Sequence, residues 1–255
     1  DYAFRILSCV FYNKELATYI TYDELTGVPV DDALYNSKTN IEDRFKVGIS
    51  WIETGNESAG LTAAKNAINA GDDAFDILIG HDGNTVGLGK SGLLRNMYDL
   101  DEFNFEKPWW PNNAVESWTV AGKMFAASSY ISYCGIHWTR AMTVNKDWAE
   151  ELQMEIPYEA VREGKWTLDM LKTLTEDVSN DVAGNGKIND KDKVGFTSGN
   201  QTWYCLQEGV DLPIYRRDDS GNIYLDLDVD RADRFLEIMR TLTKKDRYLS
   251  NGDFG

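Results

Sequence analysis

The sequence predicts an α/β protein organised in two lobes, and three observations carry that prediction. Strand-like apolar runs and helical stripes alternate as β-α-β-α-β through the first hundred residues. The alternation breaks at "EKPWWPNNAVESW" (106–118), where two prolines and three tryptophans interrupt it. Mixed strand and helix patterns then resume, so the first lobe is placed at 1–119 and the second at 120–255.

In the first lobe, "FRILSCVF" (4–11) and "FKVGISWI" (45–52) have strand composition. Between them Val30, Leu34, Ile41 and Phe45 recur at helical spacing. "SAGLTAAKNAINAG" (58–71) sets Leu61, Ala64 and Ile68 on one face and ends at Gly71, and "AFDILIG" (74–80) follows as a buried strand. This is the order of a doubly wound parallel sheet, whose ligands sit outside the carboxyl ends of the strands. Those ends are Tyr12-Asn13, Glu53-Thr54 and the stretch His81 to Asn84.

In the second lobe, "KMFAASSYIS" (123–132) and "RAMTVNKD" (140–147) have strand patterns, and "DWAEEL" starts a short helix. "TLDMLKTLTEDVS" (167–179) opens on a Thr N-cap and carries Leu168, Leu171, Leu174 and Val178 on one stripe. A strand (193–197), the aromatic segment "NQTWYCLQEG", a strand (222–227) behind the turn "DDSGN" and a helix (230–245) complete it.

Composition narrows the function classes. The balance of 26 basic against 42 acidic residues, net −16, repels phosphate backbones, so nucleic acid is excluded as a partner. Three dispersed cysteines form neither a zinc pattern nor a full disulfide framework. No run has the length of a membrane span and no signal-peptide pattern opens the chain, which by itself points to the cytoplasm or to a removed segment. With two histidines, no G-x-S-x-G and no H-E-x-x-H, nothing marks a catalytic centre, although plentiful carboxylates leave a glycosidase pair open.

Six segments in order, "ELTGVPVDDALYNSKTNIEDRFKV", "AGDDAFDILIGHDG", "KPWWPNNAVESWTVAGKMFA", "VNKDWAEEL", "GKWTLDMLKTLTEDV" and "NGKINDKDKVGF", resemble the extracellular solute-binding proteins of bacterial ABC importers, family 1, the maltose or sugar-binding type. The resemblance covers most of the chain. It implies a two-lobe, type II periplasmic-binding-protein-like fold that closes on a sugar or oligosaccharide and delivers it to ABC permease subunits in the membrane. It also implies a non-enzymatic, cell-surface lipoprotein whose anchor or signal segment is not in this chain. Family chains run on past the point where this one stops, at "NGDFG", so the resemblance implies a fragment lacking the carboxyl-terminal part.

Four candidate sites follow. "DVAGNGKINDKD" (181–192) has the spacing of an EF-hand-like calcium loop, with Asp181, Asn185, Asn189 and Asp192 at positions 1, 5, 9 and 12, Gly186 at 6 and Lys187 offering its carbonyl at 7. Ala183 at position 3 supplies no ligand, so two carboxylates remain and Ca2+ would be held weakly; the other reading is a tight Asn-Gly turn closed by side-chain to backbone bonds. No other cofactor is required. "GNTVGLGKSG" (83–92) misses the P-loop spacing by one residue.

At "GHDGN" (80–84), His81, Asp82 and Asn84 leave a buried strand at its ligand end. The resemblance gives Asp82 a sugar hydroxyl to hold, while capping of the next helix by Asp82 or Asn84 is the alternative. Trp203 and Tyr204, beside Asn200 and Gln201, form a candidate stacking platform for a sugar's C–H face, and Tyr130 and Ser132 are further candidates. Trp109 and Trp110 are assigned to lobe packing. The alternative from another class is a carbohydrate-active enzyme fragment with a calcium loop.

Overall fold

The computed structural model describes residues 2–9, 20–137, 139–199, 201–245 and 248–250. The chain divides into two compact units, Asp1–Thr139 with Asp219–Asn222, and Arg140–Asp218 with Ile223–Gly255. The division falls later than residue 120 because the segment after it bonds to residues before it. Met97 N donates to Met124 O at 2.7 Å, Met124 N to Asn96 Oδ1 at 3.0 Å and Tyr130 N to Trp109 O at 3.1 Å.

The first unit is built on strands β1 (Tyr2–Cys9), β2 (Val47–Glu53) and β3 (Ile77–Gly80), all parallel, in the order β2-β1-β3. Helix α1 (Pro29–Phe45) connects β1 to β2 and starts with proline at its first turn, where the missing N–H is not needed. Helix α2 (Glu57–Ala70) connects β2 to β3 between an Asn56 cap, whose side chain accepts from Ala59 N, and Gly71 at φ 71°. Its Ala64 is fully buried against Leu7 of β1, with Leu88 completing the core. Helix α3 (Asp82–Lys90) leaves β3 directly. Beyond it comes α4 (Asn112–Trp118), with Trp110 before it ringed by Phe103 and Phe105 at 5.8 and 4.9 Å; Trp109 stays 52% exposed.

Two expected strands do not form. In 123–132 Met124 is buried, but its backbone bonds to the Asn96–Met97 turn, and the segment runs into a short helix, α5 (Cys134–His137). In 140–147 Met142 and Val144 are about half exposed, and Asn145 caps α6 (Lys146–Glu151) by accepting from Trp148 N at 3.0 Å. An alternating pattern makes a strand only where a neighbour takes its hydrogen bonds.

The second unit continues with α7 (Tyr158–Arg162), α8 (Leu168–Thr175), strand β4 (Phe196–Ser198), α9 (Thr202–Gly209), strands β5 (Tyr215–Arg217) and β6 (Ile223–Leu225), α10 (Val229–Leu242) and β7 (Tyr248–Ser250). β4 pairs with β7 in parallel, and β5 with β6 as an antiparallel hairpin. Thr167 caps α8 and Asp228 caps α10, each accepting an N–H three residues on. The i, i+3, i+4, i+7 stripe of α10, Phe235, Ile238, Met239 and Leu242, packs against Leu168 and Leu171 of α8 and Leu206 of α9. Each such side chain contributes about 1.5–3 kcal/mol on burial.

Candidate functional site

A parallel sheet sends every strand the same way, so the carboxyl ends of β1, β2 and β3 and the amino ends of α2 and α3 lie at one edge. The strand order reverses on either side of β1, which makes this edge the switch point where open α/β sheets bind ligands. Tyr12 and Asn13 lie outside the described residues. At β2, Thr54 Oγ1 donates to Ser8 O at 2.8 Å and ties the two strand ends together.

Between α2 and α3 runs a groove of about 350 Å3. Glu57, Ser58, Thr62 and Lys65 of α2 and Asn84 of α3 line it, over an apolar floor of Leu61 and Leu88. Asn84 Nδ2 donates to Glu57 Oε1 at 3.0 Å, which crosses the groove and sets both polar heads at its mouth. Lys65, two turns along, gives the opposite end a cationic donor. A carboxylate, an amide, two hydroxyls and an ammonium around an apolar floor are the donors and acceptors that a polyhydroxylated solute needs.

Beneath that edge the packing is tight. A methyl group added at Gly60 would stand 2.7 Å from Cys9 Sγ and from Thr54 Oγ1. Ser8 Oγ and Thr85 Oγ1 are buried with no hydrogen-bond partner among the described residues. Burial, with Glu57's charge as the lesser cause, pushes the Cys9 thiol up to about 11, so it stays protonated and is no nucleophile at neutral pH.

His81 is exposed and occupies the N-cap position of α3 without a side-chain capping bond. Asp82 is the first residue of that helix and Asn84 its third, so neither occupies the cap position, and the Asn84 amide is turned to Glu57 instead. The glycine-rich segment after Gly83 is helical up to Lys90, which commits its N–H groups from Thr85 onward to the helix rather than to a phosphate. Tyr130 is 68% exposed, and Ser132 Oγ accepts from Cys134 N at 3.0 Å in a local turn; neither lines the groove.

Asn200 lies outside the described residues. Gln201 is exposed and accepts from Arg140 through its side-chain oxygen. Trp203 and Tyr204 diverge, since neighbouring helical residues point about 100° apart. Trp203 packs edge-on to Phe235 at 6.1 Å, against the core, whereas Tyr204 is 69% exposed.

The 181–192 loop closes through its own side chains. Asp181 accepts from Asn185 N at 3.2 Å and Gly186 N at 2.6 Å; Asp192 accepts from Ala183 N and Asn189 N, both at 2.9 Å. Asn185 Oδ1 accepts from Lys187 N, and Asn189 Nδ2 donates to the Lys187 carbonyl. Those N–H donors, Ala183 first, hold the Asp192 carboxyl below its ordinary value. Among the described residues no group of three or more His, Cys, Asp or Glu side chains is placed to hold a metal ion.

The α2 residues Glu57, Ser58, Thr62 and Lys65 escape the sequence reasoning, which stops at the strand end Glu53-Thr54. Their signal is the Asn56 cap, which starts a helix at the ligand edge and carries its first turns into the site.

No protein-family model matches the chain, and no curated protein matches it. Among solved structures, a sugar transporter of Rhizobium etli in an open conformation aligns with 99% of this chain and 54% of its own, at a TM-score of 0.53 and 11% identity. The FusA substrate-binding protein of a Streptococcus pneumoniae ABC transporter, in complex with kestose, aligns with 99% of this chain and 50% of its own, at a TM-score of 0.42 and 14% identity. The chain thus spans about half the length of the solved chains it matches, and over that half it has the mixed α/β fold of the Rhizobium etli sugar transporter.

Proposed function

We propose that the chain is part of the solute-binding protein of an ABC importer, of the two-lobe, type II sugar-binding kind, and that it binds a sugar or oligosaccharide without turning it over. The observation that carries this is the groove at the carboxyl edge, where Glu57 and Asn84 present hydrogen-bonding heads over Leu61 and Leu88. The fold shared with a sugar transporter supports it. In this role the protein works at the cell surface, as a lipoprotein, and hands the solute to membrane permease subunits. No cofactor takes part, and any calcium at 181–192 is weak and structural.

Glu57 is the residue to test. Sugar hydroxyls donate to a carboxylate in bonds worth about 1.5–3 kcal/mol each, so losing one weakens binding roughly 10- to 100-fold. Calorimetric titration with a panel of neutral mono- and oligosaccharides is expected to find a binder, intact after incubation, whose affinity Glu57→Ala lowers by that factor. A folded chain that binds no saccharide, or binds one equally well without Glu57, overturns the proposal.

A further inference from the structure

The second unit carries another groove, of about 320 Å3. One wall is the outer face of α9, where Tyr204, Gln207 and Glu208 stand at i, i+3 and i+4. The inner face of the same helix, Trp203 and Leu206, is committed to the core. Facing Tyr204 across the groove are Pro213, Ile214 and Tyr215.

That second wall is fixed to the first. Asp211 takes a left-handed φ of 50° and donates its N–H to Glu208 O at 3.0 Å. Leu212 N donates to Gln207 O at 3.2 Å, and Gln207 Nε2 donates back to Leu212 O at 3.0 Å. Leu212 itself is 5% exposed in the core, and the chain continues as β5, paired with β6. The two tyrosines are therefore presented by a helix and a strand on a shared core.

Tyr204 is 69% exposed, Tyr215 58% and Ile214 48%. These rings stand in water beside the Glu208 carboxylate, which has no hydrogen bond or ion pair among the described residues. A wholly apolar ligand would desolvate that carboxylate without replacing its water. An anionic ligand would meet its charge and the chain's net −16. A pyranose satisfies all of it, with an apolar C–H face for the rings and hydroxyl donors for the carboxylate.

We propose that this groove is a second saccharide-binding site, in which a neutral sugar ring packs on Tyr204 and Tyr215 and donates hydroxyls to Glu208. It goes beyond the carboxyl-edge groove and does not require it. A second contact of this kind raises the effective concentration of a long glycan around the protein without demanding tight binding at either place.

The test uses the full chain carrying Glu57→Ala and Asn84→Ala, which removes both polar heads at the mouth of the first groove. Saturation-transfer NMR with maltohexaose and with cellohexaose is expected to show transfer to the ring C–H protons of at least one of them. Tyr204→Ala and Tyr215→Ala, each added separately, should weaken that binding at least fivefold, and Glu208→Gln severalfold. Tyr204 is exposed, so its variant should melt as the parent does; if Tyr215→Ala disturbs the hairpin, Glu208→Gln still decides the matter. No transfer from the chain lacking the first groove's polar mouth, transfer that survives both tyrosine changes, or binding of tetramethylammonium in place of either glycan each overturns the assignment. Failure of the Glu57 test with success here would separate the two sites.

Discussion

Gly60 and Gly87 make a matched pair, because both lie inside helices and only one meets a neighbour. On propensity alone, Gly→Ala in a helix interior stabilises by about 0.8–1.0 kcal/mol. At Gly87 of α3 an added Cβ has nothing within 4 Å, so that gain should be realised in full. At Gly60 of α2 the same atom falls 2.7 Å from Cys9 Sγ, 2.7 Å from Thr54 Oγ1 and 2.9 Å from Cys9 Cα. One of these is strand backbone, so the helix must move off β1 or Thr54 must release Ser8 O, and overpacking of this kind costs about 1–3 kcal/mol. The net for Gly60→Ala is therefore roughly 0–2 kcal/mol of destabilisation, and the two variants should differ by about 1–3 kcal/mol. Native-state hydrogen exchange at β1 and β2 amides isolates the first unit from the second. Equal stabilisation by both alanines would refute the close approach of α2 to the end of β1.

Arg5 grips Asp76 through its backbone N at 2.8 Å and its guanidinium at 3.0 and 3.2 Å, with Tyr2 Oη donating at 2.5 Å. Arg5 first, then Tyr2, holds the Asp76 carboxyl well below the usual range. Its stabilising contribution is present above the unfolded value of about 4 and is lost as pH falls below it, so urea melts should show the advantage over Asp76→Asn shrinking in acid; a pH-independent gap argues against the pair. Asp181→Ala frees two N–H groups in an exposed loop and should destabilise the second unit by about 1 kcal/mol, with melting of the parent chain indifferent to calcium or chelator; a calcium-dependent rise would load the loop. Cys9, with its raised thiol pKa and no exposure, should resist a thiol reagent at mild alkaline pH until unfolding, whereas exposed Cys205 should react at once; early labelling of Cys9 would contradict its burial. Thr85→Val removes a buried hydroxyl that has no partner among the described residues and should raise stability by about 1–3 kcal/mol in the same exchange experiment; a loss would reveal a hidden bond.

The first unit is legible in the sequence wherever a segment's period and its punctuation agree. α2 runs from the Asn56 cap to Gly71, within a residue or so of the helix that the pattern predicts at 58–71, and β1, β2 and β3 lie inside or beside the apolar runs that signal them. The strands expected at 123–132 and 140–147 do not form because pairing is a property of the partner: Met124 finds a turn, and Asn145 a helix to cap. The site is legible at its strand ends, His81 to Asn84, and not along its walls. Glu57 and Lys65 on α2 carry no motif, and Tyr215 sits beside Tyr204 only because Gln207 and Leu212 fold the chain back.

The carboxyl edge of β1 concentrates features that reduce stability. Ser8 and Thr85 bury hydroxyls that nothing among the described residues satisfies, at about 1–3 kcal/mol each, where alanine or valine would pack without that penalty. Glycines stand at 60 and 80, and an added Cβ at Gly80 would come within 2.9 Å of Thr85 Oγ1 and 3.0 Å of Cys9 Cβ, so this corner admits no larger side chain. The opposite end of the same strand shows the reverse, with Tyr2 and Arg5 satisfied twice over by Asp76. A sheet stabilised at its amino edge and left polar, crowded and, among the described residues, partly unsatisfied at its carboxyl edge has the asymmetry that the ligand site proposed at that edge calls for.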